Sequence, residues 1–192
     1  MTKQAVTHGF IRKSSREIKE IKTVATVYEH EKSGAQLLHL ACDDSNKVFC
    51  MAFKTIPEDD TGCPHILEHS VLNGSKNFPG KSTFMELIKG SMHTFINAMT
   101  ASDMTMYPVG STNDKDFLNL TRVYLDAVLF PKIYEQPNIL HQEGWHYELN
   151  SPDDELKVRG VVYNEMKGAF SSVDTIIFRH CQQAQFPDTP YG

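Results

Sequence analysis

His65, Glu68 and His69 fall within little more than one helical turn, and no other feature of the 192 residues restricts the chain as much. The stretch reads Gly62-Cys63-Pro64-His65-Ile66-Leu67-Glu68-His69-Ser70. Wound as a helix, it carries both histidines on one face, four residues apart. Two imidazoles so placed can bind a single metal ion, at about 2.0–2.1 Å per bond for zinc. Glu68 lies on the adjoining strip. A carboxylate there can stand beside a metal without binding it and take a proton from water. The order H-x-x-E-H is the reverse of the H-E-x-x-H metal-hydrolysis pattern. Pro64 suits a first helical turn, Thr61 or Asp60 would cap it, and Asn73-Gly74 supplies a stop. Two ordinary histidines and a solvated glutamate would spell the same short pattern. A tetrahedral catalytic site also needs a third protein ligand and an open position.

A chain of this length is one domain or a large piece of one. Apolar residues make up 40%, enough for a core and against disorder. The net charge of -5, with no basic run, argues against a phosphate-backbone binder, so no nucleic-acid partner is expected. Cys42, Cys50, Cys63 and Cys181 show no C-x-x-C spacing and no disulfide framework. They read as free thiols, with Cys42 and Cys50 packed within strands. No stretch has transmembrane length and the first ten residues carry no signal or transit pattern, so no membrane partner is expected. The default location is cytoplasmic, with a mitochondrion or plastid as the alternative if a targeting segment has been removed.

Ile21, Val24, Thr26 and Tyr28 begin a β region that runs to Lys54. Turn residues at Lys32-Ser33-Gly34 and at Asp43 to Asn46 divide it into an antiparallel meander of three strands, the second Gln36 to Cys42 and the third Val48 to Phe53. His39, inside an apolar run, reads as a packed histidine. Thr83 and Glu86 form a capping box for a short helix stopped at Gly90. Met92 to Met99 and Thr105 to Val109 read as extended. Asn113 to Phe130 is the best-patterned helix, with Phe117, Leu120, Tyr124, Ala127 and Val128 as its apolar stripe. A further helix runs from about Asn138 to Gly144. Trp145 to Leu149 and Glu155 to Val158 form a hairpin. The last helix, Val161 to about Gln185, breaks near Gly168 or Ser171-Ser172. Strands and helices in separate runs predict an α+β fold, an antiparallel sheet packed with helices.

The third ligand has several candidates: Glu86, Asp103, Glu135, Glu143, Glu148, Glu155, Glu165, and the histidines His93, His141 and His146. His141, Glu143 and His146 cluster in sequence, but H-x-E-x-x-H does not set all three on one helical face. Glu165 stands first. Val161, Val162 and Met166 around it are apolar, and a carboxylate in such a setting needs a partner.

Four phrases then acquire a shared meaning: Thr61 to Ser75, Thr94-Phe-Ile-Asn-Ala-Met-Thr100, Gln142-Glu-Gly-Trp-His-Tyr-Glu-Leu149 and Gly160-Val-Val-Tyr-Asn-Glu-Met-Lys-Gly168. Together they resemble the pitrilysin or insulinase class of inverted zinc metallopeptidases, and within it the presequence-protease branch, which degrades oligopeptides. The resemblance implies a zinc metalloendopeptidase with one Zn2+ held by His65, His69 and Glu165, and Glu68 as the general base. It implies that Asn97 and Ala98 belong to an edge strand where a peptide substrate adds as a further strand.

Family members are several times longer, with four related modules enclosing a chamber and a distal arginine and tyrosine that contact the substrate. Residues 1–192 therefore read as the N-terminal part of the first catalytic module, incomplete, with the remaining modules as its partners. Such a piece is expected to be inactive alone and to self-associate through an uncovered apolar face. The alternative is a non-catalytic module, either of the kind found in processing complexes or a structural zinc domain. The former usually lacks the metal ligands; the latter wants a closed four-ligand shell.

Overall fold

The computed structural model describes residues 6–81 and 83–192. Its contacts divide the chain into two units, 1–45 and 46–192.

The first unit is a four-stranded antiparallel sheet in the order β1-β2-β3-β4, formed by Val6–Thr7 (β1), Phe10–Ile18 (β2), Thr23–His30 (β3) and Gln36–Ala41 (β4). His8 and Gly9 join β1 to β2 with φ of 52° and 81°. Positive φ at both central residues is the hairpin turn that matches strand twist, and glycine adopts it without steric cost. β2 is absent from the sequence reading because its text, Phe-Ile-Arg-Lys-Ser-Ser-Arg-Glu-Ile, is too polar to mark a strand. β3 and β4 pair as expected. All six residues of β4 are exposed, so His39 is not a packed histidine. Leu38 is 61% exposed in the same strand.

The second unit holds Lys47–Lys54 (β5), the helices Cys63–Val71 (α1) and Thr83–Gly90 (α2), then His93–Ile96 (β6), Met99–Thr100 (β7) and Met104–Ser111 (β8). Asp114–Leu129 (α3), Pro137–Glu143 (α4), His146–Glu148 (β9), Lys157–Arg159 (β10), Val161–Ala169 (α5) and Val173–Gln185 (α6) complete it. β5 does not continue the meander. It pairs antiparallel with β8, which in turn carries β6 and β7 along its other edge. The reason lies in its inner residues. Phe49 packs on the cluster of Val71, Tyr107, Val109, Leu120 and Tyr124, where α3 covers the sheet. A strand goes where its apolar face finds cover, and neighbours in sequence need not provide it. The α+β class and the β9–β10 hairpin stand as expected.

α3 begins at Asn113, whose Oδ1 accepts from the amides of Lys115 and Asp116 at 3.0 and 3.1 Å. Leu120, Val123, Tyr124 and Ala127 are its buried face. Two expected caps are absent. Thr61 is engaged by Asp59, and α1 starts instead at Gly62, with φ of 77°. Thr83 is itself the first residue of α2, inside the helix instead of capping it, and its hydroxyl donates to the carbonyl of Gly80 at 2.8 Å. Cys42 follows β4 and Cys50 lies in β5, but all four thiols are exposed. Solvent also reaches Phe178 of α6, at 65%. Among the described residues no helix is long and apolar enough to cross a membrane.

Asp126, buried on α3, holds the loop that leads from α1 to α2. Its carboxylate accepts from Ser75 Oγ at 2.6 Å and from the backbone and side chain of Asn77 at 2.8 and 2.6 Å. Burial pushes its pKa up, but Ser75, Asn77 and the charge of Lys76 together hold it below the usual carboxylate value. The unfolded chain therefore binds this proton more readily, and the stability contributed is whole above about pH 3.9 and drains as pH falls through the folded value. Asp126→Ala should cost about 1–3 kcal/mol at neutral pH. In urea melts the gap from wild type should narrow below about pH 4.

Candidate metal centre

α1 has two jobs. Ile66, Ser70 and Val71 are buried against the core, with Ser70 Oγ donating to the Ile66 carbonyl at 2.6 Å. Interleaved with them, His65, Glu68 and His69 line a cleft of about 960 Å³, as do Asn97, Ala98 and Glu165. This is within the range of small-molecule and peptide-side-chain pockets.

The imidazoles of His65 and His69 stand edge to face, 4.9 Å between ring centres. One oxygen of Glu165 is 3.8 Å from Nε2 of His65, and the other is 3.3 Å from Nε2 of His69. Two ligands of a tetrahedral zinc ion, each bonded at about 2.0–2.1 Å, lie about 3.4 Å apart. The two histidines and Glu165 therefore fit such an ion with little movement, and nitrogen, nitrogen and oxygen are a donor set zinc accepts. The ligand atoms of His65, Glu68 and His69 also lie within 4.8 Å of one another. Glu68 differs from Glu165 in its surroundings. It is 5% exposed, and its Oε2 accepts from Thr100 Oγ1 at 2.6 Å.

Glu165 reaches the histidines because α5 starts close against the end of α4. Gly160, the residue before α5, has φ of 150°, and a Cβ there would overlap the Gly144 carbonyl oxygen. Only glycine allows that approach. The carboxylate itself remains half exposed, at 52%.

Asn97 and Ala98 join β6 to β7 at the sheet edge beside this cleft. Asn97 N–H donates to Pro108 at 3.1 Å, and its carbonyl accepts from Tyr124 Oη at 3.2 Å. Its main chain is thus engaged inward. In the register set by Ile96–Val109 and Met99–Met106, Ala98 falls opposite Tyr107, a position where ladder alternation would turn its amide and carbonyl away from β8.

Sequence reasoning missed three residues here. Glu143 was weighed only as a ligand grouped with His141 and His146. Those histidines border a separate hollow with Cys63, while Glu143 turns the other way and bonds His69 Nδ1 at 3.2 Å. Asn73, read as a helix stop, donates to Glu143 at 3.1 Å. Thr100, just past the extended Met92 to Met99, carries no assigned role in the sequence reading. The only available signal was that Thr100, Glu143 and Asn73 each stand inside one of the four family phrases. Two other candidates have different partners: Glu148 pairs with Arg159, and Asp103 accepts from Tyr191.

The family model for Insulinase (Peptidase family M16) matches residues 56–180. The chain belongs to the insulinase family of peptidases. Over 184 residues it is 52% identical to presequence protease 1, chloroplastic/mitochondrial, of Arabidopsis thaliana, and 54% identical to protein HypA of Clostridium perfringens. It is 46% identical over 188 residues to the mitochondrial presequence protease of Danio rerio. Each alignment covers 96% of this chain but only 17–19% of the relative, so the chain spans less than a fifth of their length. Within the insulinase family it stands with the presequence-protease branch. A crystal structure of pitrilysin shares the fold, with a TM-score of 0.56 at 20% identity over 67% of this chain and 14% of that one.

Burial, and secondarily the negative charge of Glu68, push the phenols of Tyr107 and Tyr124 well above the ordinary tyrosine value. In an absorbance titration of tyrosinate, two of the seven tyrosines should stay protonated until the chain unfolds.

Proposed function

We propose that this chain carries the metal-holding and proton-transferring residues of a zinc-dependent endopeptidase that cleaves oligopeptides or unfolded peptides. The observation that carries the reading is the approach of Glu165 to both Nε2 atoms, beside a buried Glu68. His65, His69 and Glu165 would hold one zinc ion. Zinc, when bound, supplies Lewis acidity, making water a better nucleophile near neutral pH and polarising the scissile carbonyl.

The remaining work falls to the chain. Glu68 takes a proton from the attacking water and delivers it to the departing amine. The Thr100 hydroxyl occupies Oε2 of Glu68 and leaves Oε1 to receive that proton. The outward amide and carbonyl of Ala98 pair with a peptide backbone laid along the β6–β7 edge, and the side-chain amide of Asn97 adds a polar contact. Main-chain pairing requires an extended substrate and demands little of its sequence, which suits unfolded peptides.

The relatives' length supports remaining modules as partners and argues against turnover by these 192 residues alone. The names of the plant and fish relatives carry an organelle, which favours the mitochondrial or plastid alternative over the cytoplasmic one; the bacterial relative's name carries none. A non-catalytic module would have no need of the complete set His65, Glu68, His69 and Glu165 in one cleft.

The test is peptide cleavage with metal analysis, run on this chain and on a protein of the relatives' length. Glu68→Gln in the longer protein should keep its zinc and lose about 10²–10⁴-fold in kcat. Near-normal turnover would remove Glu68 from the base role. Absence of zinc from the wild-type protein would end the metallopeptidase reading.

A further inference from the structure

Glu143 is a carboxylate with 4% exposure at the end of α4, and the ligand set just described does not use it. Both its oxygens are engaged. Oε1 accepts from Asn73 Nδ2 at 3.1 Å and from Gln142 Nε2 at 3.0 Å. Oε2 faces His69 Nδ1 at 3.2 Å. Asn73 is itself tied to α1, through the His69 carbonyl at 3.1 Å. The group links the helix that carries both histidines to the helix packed beside it.

We propose that Glu143 is the positioning residue of His69, holding the ring proton on Nδ1 and turning the Nε2 lone pair toward Glu165 and the cleft. A neutral histidine in water prefers the Nε2–H form, which would leave a bare Nδ1 lone pair against a buried carboxylate. That contact is repulsive, and a carboxylate only 4% exposed has little access to solvent that could relieve it. On the other side of the ring, Glu165 is half exposed and water can screen it. The buried partner therefore decides the tautomer. The hydrogen bond also fixes the rotation of the ring, so Nε2 meets a metal without first losing a proton or turning. The purpose of this arrangement rests on the metal reading above; the tautomer does not.

The test is 15N NMR of histidine side chains in the metal-free 192-residue chain, followed through a pH series to the neutral ring. Wild-type His69 should show the Nδ1–H pattern. Glu143→Gln keeps the shape of the side chain but replaces one oxygen with a donor. Two donors already face one position, so the amide nitrogen must turn toward His69, and the ring should switch to Nε2–H. Zinc affinity, measured by competition with a chromophoric chelator, should fall about 10–100-fold. A merely structural role for Glu143 predicts no such switch. The inference is overturned if wild-type His69 is the Nε2–H form, a result that needs no variant. It is equally overturned if Glu143→Gln keeps Nδ1–H with zinc affinity unchanged. If the tautomer switches as expected but neither protein binds zinc, the metal reading fails and the positioning role stands.

Discussion

Helix α1 buries Ile66, Ser70 and Val71 in the core while turning His65, Glu68 and His69 to the cleft. Everything at the site depends on that division. With 3.6 residues per turn, a helix fixed by one strip of side chains has no freedom left to rotate the others. The histidines are therefore aimed by packing several ångströms away from them. The same packing lowers Glu68 into a pocket where, among the described residues, the Thr100 hydroxyl is its hydrogen-bond partner. A buried carboxylate so sparsely partnered is costly for stability.

Around α1, carboxylates are used in three ways, and burial separates them. Asp126 is buried with three donors and pins a loop. Glu143 is buried with three nitrogen neighbours and orients a ring. Glu165 is half exposed and faces two imidazoles that a cation would draw together. The chemistry of the side chains is alike; what differs is how many hydrogen-bond donors the fold brings to each.

The local signals in the sequence were reliable where the physics is local. The α3 stripe, the β9–β10 hairpin and the break between α5 and α6 follow from periodicity and turn chemistry within a few residues. The errors had non-local causes. β5 was assigned to its neighbour in sequence, when its apolar face is covered by α3. The two caps are a local exception: α1 is capped at Gly62 instead of Thr61, and Thr83 lies inside its helix. β2 escaped notice because strand pairing, not side-chain pattern, holds it in the sheet.

The sequence by itself determined that His65, Glu68 and His69 share one helical strip, because helical spacing is a property of the backbone alone. It also determined the α+β class, through elements strong enough to be read singly. The sequence ranked Glu165 first among the distant carboxylates, but only the tertiary structure shows which of them stand against that strip. Glu165 arrives through the close approach of Gly160 to Gly144, and Glu143 arrives on α4 from the opposite side of His69. Both meetings span more than seventy residues of chain. Contacts at such separations are set by how the helices pack, and the spacing of residues along the chain does not encode them.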